Sequence, residues 1–281
     1  MGTAPRRLPP GLTDRSPAPN LNLKATYVPR NSPKITVITP TRLMPNRLPY
    51  LELLHVSLTA QSVEWELVLA LDGAAPARLP RSVTRDRRVK VLELPKVGAA
   101  SARNPALTLA EGDWIQYADD DLFPADAFSV RHTYALERGL GWVAGWSADL
   151  FEDGSTRVWR CPTPPGVHDR GAVWTYWPTP QATIPLGQTQ MIARRDLVEA
   201  ACGHGGLPQG EDFLYVGTLT ALSAGALLPV VTYFYRQHGE QLTRTHDHDR
   251  LESASRRFAW QAGHQLRRLL PPVDATMPTA A

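Results

Sequence analysis

Four short apolar runs rich in β-branched residues constrain the fold more than any other feature of this sequence. They are Lys34-Ile35-Thr36-Val37-Ile38-Thr39-Pro40-Thr41, Trp65-Glu66-Leu67-Val68-Leu69-Ala70-Leu71, Val89-Lys90-Val91-Leu92-Glu93-Leu94 and Trp114-Ile115-Gln116-Tyr117-Ala118. Helical stretches from about Leu48 to Gln61 and from Ala99 to Ala110 lie between the first and second runs and between the third and fourth. Near-continuous apolar strands alternating with helices predict an α/β fold with a parallel sheet covered on both faces. Ligands of such a sheet bind beyond the carboxyl ends of its strands. Here those ends carry Thr39-Pro40-Thr41, Asp72-Gly73 and Asp119-Asp120-Asp121, and Pro40 is expected to stop the first strand.

Three consecutive carboxylates repel one another unless water or a cation neutralises them. A hard divalent ion such as Mg²⁺ or Mn²⁺ does so with one or two carboxylates plus the phosphate oxygens of a substrate. The plain alternative is a solvated acidic turn that caps a helix starting near Pro124. The other strand ends suit a nucleotide. Asp72 can accept from a base N–H or from ribose hydroxyls, and Thr39 and Thr41 can reach a base edge. The sequence contains neither Gly-x-Gly-x-x-Gly after the first strand nor Gly-x-x-x-x-Gly-Lys-Ser/Thr, so dinucleotide and P-loop binding lose their usual warrant.

With 281 residues, 43% of them hydrophobic, the chain can bury a full core, and a single domain is favoured. A formal charge of +3 with scattered arginines does not imply nucleic acid, although it suits an anionic small substrate. Cys161 and Cys202 are the only cysteines, too few for a disulfide framework or a four-cysteine zinc site. There is no apolar run long enough to span a membrane and no hydrophobic signal core, so a soluble, cytoplasmic protein is expected.

Residues 1–32 are rich in Pro, Ala and Asn and read as a tail or extension. Pro105 inside the helix after the third strand predicts a break or late start near Ser101 to Asn104. Further along, Trp142, Trp146, Trp159, Trp174, Tyr176 and Trp177 surround a Pro-rich connection. These rings suit an acceptor platform and core filling equally. Leu186 to Ile192 reads as a strand entering the crevice, with Gln188 able to reach a sugar or acceptor. The glycine-rich stretch Gly203 to Gly210 leads to Glu211-Asp212 and an apolar helix from Phe213 to Ala224, where the acidic pair serves either as a cap or in chemistry. A final helix, Leu251 to Leu270, is expected to pack on the domain or on a partner chain.

In order along the chain, Val37-Ile38-Thr39-Pro40-Thr41, Leu71-Asp72-Gly73, Gly98-Ala99-Ala100-Ser101-Ala102-Arg103-Asn104, Tyr117-Ala118-Asp119-Asp120-Asp121, Gly210-Glu211-Asp212 and Tyr235-Arg236-Gln237-His238-Gly239-Glu240-Gln241-Leu242-Thr243 resemble the GT-A glycosyltransferases, especially family 2. The resemblance covers roughly residues 34 to 245. It implies an α/β GT-A domain over 33–250, its central sheet mixed, mostly parallel and flanked by helices, with a nucleotide half of about 33–125 and an acceptor half of about 126–250, followed by a helix and tail over 251–281. It further implies transfer of a sugar from a nucleoside-diphosphate sugar, by family habit a UDP-sugar, with Mn²⁺ or Mg²⁺ on the diphosphate and inversion at the anomeric carbon.

Carried over residue by residue, the resemblance puts Thr39, Pro40 and Thr41 around the base and Asp72 on base or ribose. Arg103 falls near the diphosphate, Asp119 and Asp120 on the nucleotide sugar, and Asp119, Asp121 and His238 on the metal. Gln188 is expected at the sugar or acceptor, and Arg236, Gln241 and Thr243 at the diphosphate. Asp212 becomes the base that deprotonates the acceptor, with Glu211 contacting the acceptor or supporting Asp212. His246 and His248 are rivals to His238 as a separate metal clip, although a His-x-His in a polar loop is more often solvated. The Gln-x-x-Arg-Trp string common in the family is missing, which argues against processive polymer synthases and points to a small soluble acceptor such as a natural product, nucleoside or sugar. A homodimer is compatible with this reading. A silent nucleotide-sugar-binding module and a nucleotidyltransferase are the alternatives.

Overall fold

Each of the four apolar runs forms a strand. The structure, a computed structural model, describes residues 34–207, 209–238 and 246–270, the first five of the last stretch as backbone alone. The chain begins β1 (Ile35–Thr41), α1 (Leu48–Thr59), β2 (Trp65–Asp72), α2 (Arg81–Thr84), β3 (Val89–Leu94), α3 (Ala99–Leu107) and β4 (Trp114–Tyr117). It continues α4 (Ala127–Arg138), β5 (Trp142–Leu150), β6 (Thr156–Trp159), β7 (Gly166–His168), β8 (Met191–Arg194) and α5 (Arg195–Ala200). The remaining described elements are α6 (Glu211–Leu222), β9 (Gly225–Arg236) and α7 (His246–Leu269).

The strands make one sheet in the order β3-β2-β1-β4-β8-β5-β9-β7, with β6 paired to β5. β3, β2, β1 and β4 are parallel neighbours, β8 is antiparallel to both β4 and β5, and β5 and β9 are again parallel. The four apolar runs form the parallel part, as expected from their pattern, and the whole is the mixed, mostly parallel sheet that the resemblance implies. Alternate residues feed opposite cores, as the two-residue period of a strand requires. Val37, Leu67 and Leu69 pack with Leu51, Leu54 and Phe128 of α1 and α4, while Ile38, Val68 and Ala70 pack with Ala102, Ala106 and Leu219 of α3 and α6. All eight residues of β2 are buried, which is why that run is almost unbroken in apolar character.

Several local expectations are corrected. β1 does not stop at Pro40 but continues to Thr41. Backbone polar groups of a strand alternate sides, and the Ala118 N–H to Ile38 carbonyl bond (3.0 Å) shows that Ile38, and hence Pro40, faces β4. Pairing with β4 ends at Ile38, so the missing Pro40 N–H falls where no strand needs it. α3 has no break at Ser101 to Asn104. It starts at Ala99, directly after Gly98 at φ 91°, and Pro105 falls in its last turn, where a single helical hydrogen bond is forgone. The run Leu186 to Ile192 is a strand only from Met191, because the Gln190 side chain accepts from the Gly187 N–H (2.6 Å) and closes a 3-10 turn over Gln188–Gln190.

α6 starts at Glu211, earlier than expected, since Gly210 at φ 67° turns the chain immediately before it. α7 likewise starts at His246 and packs on the chain's own domain. Trp174 lies between α6 and α7 in a slot made by two glycines. A Cβ on Gly217 or Gly263 would fall 2.0 or 1.8 Å from its ring. The Trp174 indole N–H donates to the Gly217 carbonyl (3.0 Å), Trp177 stacks on its ring at 5.4 Å, and Trp260 donates to the Trp177 carbonyl (2.8 Å). Trp142, Trp174 and Trp177 are therefore core, leaving Trp146, Trp159 and Tyr176 half-buried. Among the described residues no helix is long and apolar enough to cross a membrane.

Candidate active site

The parallel strands β1, β2, β4, β5 and β9 end on one edge of the sheet, and the polar residues singled out from the sequence gather there. Asp72 closes β2. One of its carboxylate oxygens accepts from the Val97 N–H (2.5 Å) and the Gly98 N–H (3.0 Å), and the other from Arg42 Nε (3.0 Å). Burial alone pushes the Asp72 pKa up, but these bonds outweigh it and hold the carboxyl below its usual range. Thr41 turns its hydroxyl to the Leu43 N–H (3.2 Å). Thr39 is wholly buried, and its hydroxyl has no partner among the described residues.

The carboxylates after β4 diverge to three different elements. Asp119, whose side chain is 43% exposed, pairs with Arg103 of α3 (3.0 Å). Asp120 pairs with Arg47, in the turn before α1. Asp121 is buried, accepting from the Tyr233 hydroxyl (2.7 Å) and the Arg236 N–H (2.8 Å) of β9. Its neighbour Leu122 exchanges backbone bonds with Phe234, which fixes the turn against β9. β9 reaches this register through a bulge over Pro229 to Thr232 that turns Tyr233 inward. Burial, with the adjacent Asp119 charge, pushes the Asp121 pKa up to about 7, against the pull of its two hydrogen bonds.

The second carboxylate pair comes from the first turn of α6. Glu211 meets the other terminal nitrogen of Arg103 (2.8 Å), so this buried guanidinium holds Asp119 and Glu211 together. Asp212 is pushed up to about 7 by burial and by the Glu211 charge. The loop before α6 is anchored to α3 by Asn104. Its amide donates to the His204 carbonyl (2.9 Å) and its oxygen accepts the His204 N–H (2.8 Å). Behind this loop the His204 ring stacks on Tyr215 (4.7 Å), meets the edge of Tyr117 (4.5 Å) and contacts the Gln188 amide oxygen through Nε2 (2.6 Å). Burial, together with the Arg103 charge, drives the His204 pKa down to about 2, so the ring is neutral and Nε2 is the donor. Gln188 is thus turned toward His204.

Residues 36–183 match the family model for glycosyl transferase family 2. The chain belongs to that family. Solved structures agree on the GT-A fold. S. aureus TarS residues 1–349 in complex with UDP-GlcNAc is 18% identical over 83% of this chain and 70% of that one, with a TM-score of 0.63. A second structure of TarS residues 1–349 is 20% identical over 72% of this chain, with a TM-score of 0.57, and this chain spans 60% of its length. The mannosyltransferase PcManGT from Pyrobaculum calidifontis, in complex with GDP-Man and Mn²⁺, is 18% identical over 88% of this chain and 67% of that one, with a TM-score of 0.56. No curated protein matches the chain.

The matched segment of this family-2 chain contains Asp72, Arg103, Asp119, Asp120 and Asp121. Gln188, Glu211, Asp212, Arg236 and His238 lie beyond it. At the open side of the crevice, Arg236 lies over the Tyr50 ring at 4.3 Å, Arg47 approaches the same ring at 5.5 Å, and Arg47 is 2.9 Å from His238 Nε2. His238 is therefore directed to Arg47, and among the described residues no three His, Cys, Asp or Glu side chains come together as a metal site. Gln241 and Thr243 lie outside the described residues, as do residues 1–32 and the side chains of His246 and His248. Sequence reasoning missed Arg47, Tyr50, His204 and Tyr233. Only Tyr233 carried a local signal, the inward position of an alternating strand, and the bulge at Pro229 hid its register.

Proposed function

We propose that the chain transfers a sugar from a nucleoside-diphosphate sugar to a hydroxyl of a small acceptor, using a divalent cation on the diphosphate. The observation that carries this reading is the Arg103 bridge, which joins Asp119 at the end of a nucleotide-side strand to Glu211 at the start of α6 (3.0 and 2.8 Å). Two carboxylate sets from distant parts of the chain meet at one place, as a displacement with a leaving group on one side and an acceptor on the other requires.

Asp119 and Asp121 suit a hard cation. They are like charges held close enough for Asp119 to raise the Asp121 pKa, a repulsion that a bound cation relieves. Two carboxylates suffice where phosphate oxygens supply the other ligands, so Mg²⁺ and Mn²⁺ both fit, and His238 would join them only by leaving Arg47. Held by Asp119 and Asp121, such a cation would supply neutralisation of the charge that grows on the leaving diphosphate. Arg236 and Arg47 add positive charge at the mouth of the crevice.

Asp212 takes the acceptor proton as the new C1–O bond forms and the bond from C1 to the diphosphate oxygen breaks. Its pKa of about 7 suits this task, since a base works best when its pKa lies near the working pH. Arg103 holds Glu211 (2.8 Å) in place beside Asp212, and the Glu211 charge contributes to the raised pKa of Asp212. Attack by a base-activated hydroxyl opposite the leaving group inverts the anomeric carbon. The half-buried Trp146 and Trp159, on the paired strands β5 and β6, offer apolar faces for an acceptor ring, whereas Tyr176 lies against His168 beside the start of β9, away from the crevice.

Single-turnover transfer by Asp212→Asn tests the assignment. The rate should fall by about 10²- to 10⁴-fold while donor affinity and its cation dependence are retained. Near-normal transfer would remove Asp212 as the base. A parallel fall in donor affinity would move it to the diphosphate.

A further inference from the structure

We propose that Arg42 selects the base of the donor nucleotide and that this base is guanine. The inference rests on the nucleotide-sugar reading above, and it replaces the family habit of a UDP-sugar with a choice made by this chain's own residues.

Asp72 is 4% exposed, and its carboxylate already accepts from the Val97 N–H, the Gly98 N–H and Arg42 Nε. So engaged, it serves better as an anchor for Arg42 than as the direct partner of a base. Arg42 follows β1 directly, and its side chain is 45% exposed at the carboxyl end of the sheet, where a nucleotide would lie. With Nε turned to Asp72, its two terminal nitrogens form a fork directed away from that carboxylate, and neither has a partner among the described residues. The ion pair fixes this orientation.

A guanidinium has donors only, and the two arms of its fork match two acceptors side by side. Among the bases guanine presents such a pair on one edge, at O6 and N7. Adenine sets its amino donor beside N7, and cytosine leads with an amino donor. Uracil, like thymine, offers O4 alone on that edge. Its second carbonyl lies beyond the N3–H, a donor that would oppose the fork.

Calorimetric titration of the full chain with GDP and with UDP, each with Mn²⁺ present, tests the proposal. GDP should bind on the order of 10- to 100-fold more tightly, the discrimination of one good bidentate pair. Arg42→Lys keeps the charge without the fork and should bring the ratio close to one by weakening GDP and leaving UDP unchanged. Arg42→Gln, which removes the charge as well, should also abolish the preference. Equal binding, tighter UDP, or a preference that survives both substitutions would overturn the role of Arg42 while leaving the nucleotide-sugar reading in place. If neither nucleotide binds in the presence of Mn²⁺, that reading falls and the base proposal falls with it.

Discussion

The two halves of the chain, the first proposed to hold the nucleotide and the second the acceptor, place their carboxylates by different means. Asp72 and Asp119 to Asp121 stand where parallel strands end, so their positions follow from strand length and register within about fifty residues of chain. Glu211 and Asp212 stand at a helix terminus whose position depends on contacts between distant segments. Asn104 pairs with His204, Trp174 fills the slot between Gly217 and Gly263, and Arg103 reaches Glu211. A site assembled from both is only as rigid as its less local half. Perturbing each half separately should therefore have different consequences for binding and for turnover.

The largest effect is expected in the acceptor half. Trp174→Ala empties a slot between Gly217 and Gly263, two walls with no side chains of their own to fill it. A cost of about 3–5 kcal/mol is expected, enough to lower the thermal midpoint by roughly 10 °C. Donor affinity below the transition should change little, because none of the nucleotide-side residues touches this slot. A thermal melt combined with nucleotide titration reads both. Equal loss of stability and donor affinity would show that the two halves are not separable.

Asp121→Asn is the corresponding change in the nucleotide half, and the structure alters what it should do. A carboxylate two residues after Asp119 invites the expectation of a solvent-facing ligand, yet Asp121 is buried between Tyr233 and Arg236. An asparagine can keep both contacts, its oxygen accepting from the Arg236 N–H and its amide donating to the Tyr233 hydroxyl. The like-charge contact with Asp119 disappears as well. Stability without cation should hold or rise by about 1 kcal/mol, whereas the gain of about 2.7 kcal/mol expected with nucleotide, in the presence of Mn²⁺, at about 100 times its Kd should be lost. Thermal shifts with and without ligand distinguish the two effects, and a full ligand-induced shift in the variant would take Asp121 out of the cation site.

How much of this was legible in the sequence differs between the halves for the same reason. The apolar runs fixed strand identity and placed Asp72 and the Asp119 to Asp121 cluster at the correct edge, because alternation and strand ends are local properties. Pro40 and Pro105 misled because a proline's cost depends on whether its missing N–H has a waiting partner, which only the neighbouring strand or turn decides. The pairing of Arg103 with Asp119 and Glu211, of Asp120 with Arg47, and of Gln188 with His204 was not legible, since nothing in a linear pattern states which side chains will face one another. The aromatic segment shows the same limit to local reading. Trp174 became core because Gly217 and Gly263, far along the chain, left room for its ring.

A smaller effect should follow from Asn104→Ala, which cuts the tie between the nucleotide-side helix α3 and the loop leading to Asp212. The His204 N–H and carbonyl each lose their side-chain partner, at a stability cost of about 1–2 kcal/mol. Turnover should fall with donor affinity retained, because the loop positions Asp212 and not the nucleotide. Asn104→Asp keeps the acceptor for the His204 N–H and should recover part of the rate. If donor affinity falls with turnover in Asn104→Ala, the loop belongs to the nucleotide half.

The smallest effect is expected at the opposite end of the strands, where the nucleotide half has an ion pair remote from the crevice. Arg88 makes two side-chain bonds to Asp86 (3.0 and 2.7 Å), His55 approaches the same carboxylate (2.9 Å), and the Arg88 guanidinium stacks 3.8 Å over Trp65. The Arg88 bonds hold the Asp86 carboxyl well below its usual range, against the opposing effect of burial. A lowered folded-state pKa stabilises the fold above the unfolded value of about 4, and this contribution fades as pH falls toward the folded value. Because the Arg88 side chain is 46% exposed, the contribution should be no more than about 1 kcal/mol. Wild type should therefore exceed Asp86→Asn by that constant margin from pH 5 to 7, and the margin should narrow below pH 4. Denaturant midpoints across pH 3 to 7 measure it. Nucleotide affinity at pH 7 should be the same in both, and a weaker affinity in Asp86→Asn would mean that the two ends of the nucleotide half are coupled through the sheet.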